Sequence, residues 1–353
     1  MIPYWALFFM FVAGTLFSGV ETSRPQSRLL LRAAAIIAIL MIGLRFRVGG
    51  DWGQYLRIFR QISLVDLGQA FSFPNSDPAY SILNWAASQV GLGIWFVNLV
   101  CGAALVAGIM SIAVRQPNPW LVFVAAVPYL IIVVGMGYTR QSAAIGFTMM
   151  AINSMLDRRI VKALVLTMIA ALFHQTAVIL VPIIGIALSH NRVLTVILSA
   201  CLAVLLYHFL VSARIDAMSR NYLGAQLDSS GTMVRLVITL VPATIFLLSQ
   251  RHFGFDPEAK QVWRALSLAA LCAAVAFRFI PSSTVVDRLA LYLIPVQLVV
   301  LARVPWAFGG KPDGRLLLMM LVIMYCAAIQ FVWLNYAVNA YAWVPYRFYL
   351  FSY

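Results

Sequence analysis

The sequence predicts an all-α polytopic membrane protein of about 12 transmembrane helices, with amphipathic helices on its outer face. Three observations carry that expectation. Of 353 residues, 63% are hydrophobic and 10% charged, with a mean hydropathy of +0.92; a water-soluble domain needs more polar surface than this. Apolar runs recur from end to end, at roughly 3–20, 29–44, 92–114, 119–137, 140–156, 160–173, 175–188, 193–211, 234–250, 262–280, 288–305 and 315–335, and a helix is how such a run satisfies its backbone in hydrocarbon. The basic residues between those runs are distributed as a membrane would orient them. Residues 1–353 read as one integral membrane domain with outer-face loops at about 45–78 and 212–233.

The first run has no basic residue before it and Glu21 behind it. It lacks the charged start of a secretory signal and is expected to stay as an anchor. Loops around 21–32, 115–119, 157–162, 189–193, 251–264 and 303–315 carry Arg24, Arg28, Arg32, Arg115, Arg158, Arg159, Lys162, Arg192, Arg251, Lys260, Arg264, Arg303, Lys311 and Arg315. Placing these loops in the cytoplasm satisfies the positive-inside rule and puts both termini outside. The stretch 160–188 can be one long span or two short ones parted near Phe173-His174-Gln175. A single span would reverse everything downstream and move Lys260 and Lys311 outside, so two are preferred. Cys101, Cys201, Cys272 and Cys326 lie singly in four different runs and read as packing residues. The formal charge of +14 has no soluble basic domain to carry it, so nucleic acid is not an expected partner.

On this topology the outer segments hold Arg45, Arg47, Arg57, Arg60, Arg140, Arg214, Arg220, Arg235, Arg278, Arg288 and Arg347, and no lysine. A guanidinium donates two parallel hydrogen bonds and stays charged when partly desolvated, as phosphate binding requires. Arginine is also the favoured basic residue of the whole chain, so position has to add to type. Arg140 opens one run in GYTRQSAAIGF, Arg278 closes another in AAVAFRFIPSS, and Arg288 opens the next in VVDRLALYL. Each alone can snorkel to the interface; together they would form a basic pocket at headgroup depth.

In RFRVGGDWGQYLRIFRQ, residues 45–61, Trp52, Tyr55, Leu56, Phe59 and Ile62 fall on one helical face and Arg57, Arg60 and Gln61 on the other. This helix is expected to lie along the outer surface. Gly49 and Gly50 permit the turn that ends the second span, leaving Asp51 where an N-cap would stand. Asp51 is either that cap or a carboxylate that takes a proton from, or binds, a sugar. His174, beside Gln175 and Thr176 near the outer face, is a packing hydrogen bonder or a residue of acceptor binding and proton handling. His208 is a weaker candidate, and His190 and His252 read as solvated. The segment 211–233 carries Arg214, Asp216, Arg220 and Asp228, balanced as a solvated loop would be, yet placed to cover a site.

The order of GGDWGQYLRIF, DPAYSILNWAASQVG, TRQSAAIGF, LFHQTAVILVP, DRLALYLIPVQ and AYAWVPYRFYLF resembles the EpsG family, Wzy-like bacterial polymerases of surface polysaccharides. The similarity covers nearly the whole chain, although the family's first motif often has Thr-Asp where this chain has Gly50-Asp51. The resemblance implies a glycosyltransferase type C-like fold in the bacterial cytoplasmic membrane, joining oligosaccharide units carried on undecaprenyl diphosphate at the outer face, with membrane lipid and a chain-length regulator as further partners. Asp51, His174, Arg140 and Arg288 are then the candidate catalytic residues. Arg45, Arg47, Tyr55, Gln141, Gln175, Arg214, Arg220, Arg278 and Tyr292 are the candidate substrate-binding residues. Arginines would stabilise the leaving diphosphate, Asp51 or His174 would assist the attacking hydroxyl, and attack from the far side would invert the anomeric centre. The outer aspartates, Asp51, Asp66, Asp77, Asp216, Asp228 and Asp287, are scattered singly, so neither a metal nor another cofactor is expected. A transporter or flippase of lipid-linked sugar or another anion is the rival reading, though the halves 1–175 and 176–353 share no repeated motif. A glycan ligase would share fold and leaving group, and an O-acyltransferase would need a cytoplasmic acyl entry.

Overall fold

A computed structural model describes residues 1–18, 25–74, 76–189, 191–202, 204, 205, 208, 232–279 and 288–351. Among these residues there are helices and no strand, only one isolated bridge. The helices are α1 (Ile2–Ser18), α2 (Pro25–Gly43), α3 (Trp52–Ile62), α4 (Leu67–Phe71), α5 (Pro78–Gln89), α6 (Ile94–Ala113), α7 (Pro119–Gly137), α8 (Thr139–Leu156), α9 (Ile160–Phe173), α10 (Leu180–Leu188), α11 (Arg192–Leu202), α12 (Thr232–Ser249), α13 (Pro257–Phe279), α14 (Ile294–Phe308) and α15 (Pro312–Tyr336). Every apolar run of the sequence carries a helix. Five stretches among the described residues, Gln26–Gly43, Ile94–Ala113, Pro119–Gly137, Arg288–Phe308 and Pro312–Tyr336, are long and apolar enough to cross a membrane. The chain is a multi-pass helical membrane protein.

The residues pack as two compact units, Met1–Gln175 with Leu301–Tyr353, and Thr176–Val300. In the first, α7 is buried along its length. Pro128 has no N–H and its ring crowds the carbonyl one turn back, and residues Val127–Val134 widen into a π-helix around it. The indole Nε1 of Trp343 donates to the carbonyl of Ile132 in that stretch at 2.9 Å, and the Tyr4 hydroxyl donates to the Trp343 carbonyl at 2.7 Å. Helices α6 and α8 meet where neither has a side chain: a Cβ on Gly108 would lie 2.4 Å from the Gly146 carbonyl oxygen. Small residues let membrane helices approach this closely.

Helix α3 is amphipathic as expected, but its inward stripe is Tyr55, Ile58 and Ile62. Trp52, Leu56 and Phe59 are half-buried, because α3 packs on α5 and α6 and presents one face to protein and another flank to its surroundings. The 160–188 stretch breaks at His174, whose extended backbone ends α9 and leads into a 3-10 turn, Gln175–Ile179. Loops that the charge pattern assigns to one membrane face do meet: Arg115 pairs with Asp157, and Arg303 Nε donates to Gln116 Oε1 at 2.7 Å. In the second unit α12 packs with α13, and α10 with α13, around the rings of Phe246, Phe253, Phe255 and Trp263.

Arg45, expected to face an anionic ligand, is 1% exposed. Its guanidinium donates to the Ile42 and Val48 carbonyls, to Asn98 Oδ1 at 3.2 Å on α6 and to Thr139 Oγ1 at 2.8 Å at the start of α8. Burial lowers its pKa to about 10, opposed by neighbouring phenols and a thiol, so it remains charged at neutral pH. Around it the C-terminal segment is stitched to the chain after α2: Phe46 N–H bonds the Arg347 carbonyl, Tyr349 N–H the Leu44 carbonyl and Gly49 N–H the Ala342 carbonyl, at 2.9, 2.7 and 2.8 Å. Gly49 is required there twice over. Its φ is +102°, and a Cβ would stand 2.2 Å from the Met136 carbonyl oxygen.

Replacing Arg45 by Gln leaves several of these acceptors empty and is expected to cost about 3 kcal/mol. Thermal unfolding in detergent should register it as a lowered Tm, and Gly49→Ala should lower Tm as well through strain.

Candidate active site

Asp77 precedes Pro78, the first residue of α5, where an aspartate ordinarily caps the helix. Its side chain makes no capping bond. Only its backbone serves α5, the carbonyl accepting from Ser81 N–H at 2.9 Å. The carboxylate is used instead to join distant elements. Asp77 Oδ2 accepts from Arg140 Nη1 of α8 at 2.9 Å and lies 3.4 Å from His174 Nδ1, while Oδ1 accepts from the Gln175 N–H at 3.4 Å. Burial disfavours the charged carboxyl, but the His174 hydrogen bond and charge, the Arg140 charge and the Gln175 N–H outweigh it. Together they hold the Asp77 pKa below the ordinary aspartate value.

His174 reaches this position because α9 ends at it. Its N–H makes the last helical bond, to the Ala170 carbonyl at 2.8 Å, and its φ of −160° then turns the chain away. A proton on Nδ1 would be shared with the Asp77 carboxylate and would leave Nε2 a lone pair. Among the described residues Nε2 is buried without a hydrogen-bond partner.

The Arg140 Cζ stands 6.0 Å from the ring centroids of both Tyr55 and Tyr80, and those rings meet edge-on with centroids 5.6 Å apart. The aromatic faces hold the cation by its charge. Burial pushes the Tyr55 phenol up to about 12 against the opposing pull of Arg140, and burial likewise raises Tyr80. Both phenols are therefore neutral donors at physiological pH. The Tyr80 hydroxyl is buried beside the Asn84 side chain. A carboxylate, a guanidinium, an imidazole and two phenols thus converge from α3, α5, α8 and the end of α9. Such a set can hold an anion, orient a base and donate to an oxygen.

The other candidates fall as follows. Asp51 is half-buried at the N-cap position of α3 with no side-chain cap; its ψ of 6° lies outside the extended region that a capping residue needs. Arg47 is exposed, at a φ of 51°, with its guanidinium 5.2 Å from the Phe46 ring. Gln141 is buried beside Arg140 in sequence, and Gln175 is exposed while its backbone serves Asp77. In the second unit Tyr292 is buried and its hydroxyl accepts from Thr176 Oγ1 at 3.4 Å, whereas Arg288 is exposed. Arg214, Arg220 and the side chain of Arg278 lie outside the described residues. No three His, Cys, Asp or Glu side chains among the described residues gather closely enough to hold a metal ion.

Asp77 and Tyr80 were missed as site residues by sequence reasoning. The signal available was the motif that contains both: an Asp-Pro start to a helix followed by a tyrosine one turn on. An Asp-Pro start is explained by capping alone, so only the missing cap reveals the carboxylate's other use.

The model of the EpsG family matches residues 28–348 of this chain. No curated protein and no solved structure matches it.

Asp77 has a folded-state pKa below its unfolded one. Its stabilising contribution is therefore complete above about pH 4 and is lost as pH falls through the lower folded value. Thermal stability in detergent should decline on acidification below that point. Asp77→Asn should flatten this decline and cost about 3 kcal/mol at neutral pH by leaving Arg140 without its counter-ion.

Proposed function

We propose that this chain, which belongs to the EpsG family, is a membrane glycosyltransferase that polymerises lipid-diphosphate-linked oligosaccharide units into polysaccharide at the outer face of the bacterial cytoplasmic membrane. Its apolar helices make about twelve spans in a glycosyltransferase type C-like arrangement. The observation that carries the reading is the meeting of Arg140, Asp77 and His174 next to two buried tyrosines. It joins an anion-binding group to a histidine with one nitrogen held and the other open.

The reaction breaks the bond between an anomeric carbon and a diphosphate oxygen and forms one to the hydroxyl of an acceptor sugar. The hydroxyl proton goes to His174 Nε2, and the electron pair of the broken bond goes to the diphosphate oxygen. Arg140 stabilises the charge that develops there, more in the transition state than in the ground state. Its fork suits two phosphate oxygens, and the Tyr55 and Tyr80 rings lie 6.0 Å from its Cζ. Attack from the side opposite the leaving group inverts the anomeric centre, and positioning two bound sugars supplies much of the rate. Arg288, and Arg214, Arg220 and Arg278, are further candidates for holding the lipid diphosphate, with Asp51 and Tyr292 for the sugar. The halves 1–175 and 176–353 share no repeated motif of the kind common in transporters, which favours this reading over that rival.

Purified protein given undecaprenyl-diphosphate oligosaccharide should yield longer glycans and release undecaprenyl diphosphate, in EDTA as in Mg²⁺. Loss of activity on chelation with recovery in Mg²⁺ would sink the metal-independent mechanism. His174→Gln is expected to lower kcat about a hundredfold. Arg140→Lys, which keeps the charge and removes the fork, should also lose most of the rate; wild-type turnover in both variants would remove this cluster from the chemistry.

A further inference from the structure

One oxygen, Asp77 Oδ2, serves both Arg140 and His174, at 2.9 and 3.4 Å. The two bonds are unequal: that to arginine is short and charge-assisted, and that to histidine is near the outer limit for a hydrogen bond. We propose that Asp77 is a contended carboxylate, which a diphosphate bound at Arg140 displaces toward His174, so that filling the leaving-group site secures the proton on Nδ1 and commits Nε2 as the base. This rests on the function proposed above and adds its order of events, with the base completed only when the donor is in place. Asp77 touches no reacting atom and is a positioning residue.

The surroundings favour a direct exchange of this kind. Helix α9 packs on α8 and α5. The only ionisable side chain on α8 is Arg140, and α5 offers Tyr80 with Asp77 before its first turn, while Arg159 and Lys162 stand at the opposite end of α9. Asp77 pairs with both cations, and Asp51, before α3, stands near Tyr55 on the other side of Arg140. Tyr55 and Tyr80 flank Arg140 with their rings, and Tyr55 also hydrogen-bonds it, so the guanidinium has partners besides its carboxylate. Gln175 N–H meanwhile keeps the other carboxylate oxygen at the His174 end. The carboxylate needs to rotate, not travel.

The test uses the full-length protein in nanodiscs, with His190, His208 and His252 replaced by Gln so that His174 is the only imidazole, and inorganic pyrophosphate as the anion. Nitrogen-15 and proton spectra of the ring report which nitrogen carries the proton and how strong its hydrogen bond is. Pyrophosphate should move the Nδ1 proton downfield and fix the Nδ1–H tautomer, and Arg140→Gln should abolish the effect. Asp77→Asn should bind pyrophosphate severalfold more tightly, because its competitor for Arg140 is gone, while kcat falls about a hundredfold. Unchanged ring resonances on pyrophosphate binding, no binding at all, or weaker binding by Asp77→Asn would each overturn the proposal. If Asp77→Asn does not fold, the ring spectra of the chain with native Asp77 decide alone. Coupling without glycan elongation would refute the polymerase and leave the exchange standing; elongation without coupling would do the reverse.

Discussion

A carboxylate removed from water is tolerable only when its charge is met, and Asp77 is met from three directions at once. Arg140 arrives from the start of α8, His174 from the end of α9, and the Gln175 N–H from the turn that follows. Because Asp77 itself stands before α5, one side chain fixes the relative positions of three helix ends. The candidate site is the place where those ends meet. Breaking one partnership would leave an uncompensated charge in a poorly solvated place, which costs more than the bond is worth by itself.

Arg45 does for the scaffold what Asp77 does for the site. Its guanidinium donates to the carbonyls of Ile42 and Val48, to Asn98 on α6 and to Thr139, the residue before Arg140. The start of α8 is therefore held from one side by Arg45 through Thr139 and from the other by Asp77 through Arg140. The C-terminal segment closes over the same loop by backbone hydrogen bonds, with Trp343 reaching a carbonyl of the π-helical stretch in α7. Arginine serves the scaffold at one position and the candidate site at another fewer than a hundred residues away.

This division bears on how charge is read in membrane proteins. Orientation and ligand binding both use basic residues, and the composition here, in which all but three of the 25 basic residues are arginine, blurs them further. What separates Arg45 from Arg140 is the partner each one finds. Among the described residues Arg45 meets neutral acceptors, whereas Arg140 meets the carboxylate of Asp77. The exposed Arg47, set over the ring of Phe46, belongs to neither group.

The helices were legible from the chain alone, since apolar runs of helical length leave the backbone no other way to satisfy itself in lipid. The break at His174, the amphipathic α3 and the interest in Arg140 and His174 were also legible, because periodicity, charge in hydrocarbon and the positive-inside bias are local properties of the sequence. The use of Asp77 was not, nor were the burial of Arg45 and the face on which α3 packs. Those depend on which groups 50 to 100 residues apart become neighbours, and a charge finds its counter-charge only once the helices carrying the two have packed. Sequence determined that this protein puts ionisable groups where water is scarce; tertiary structure decided which of them neutralise one another and which retain an atom for a ligand.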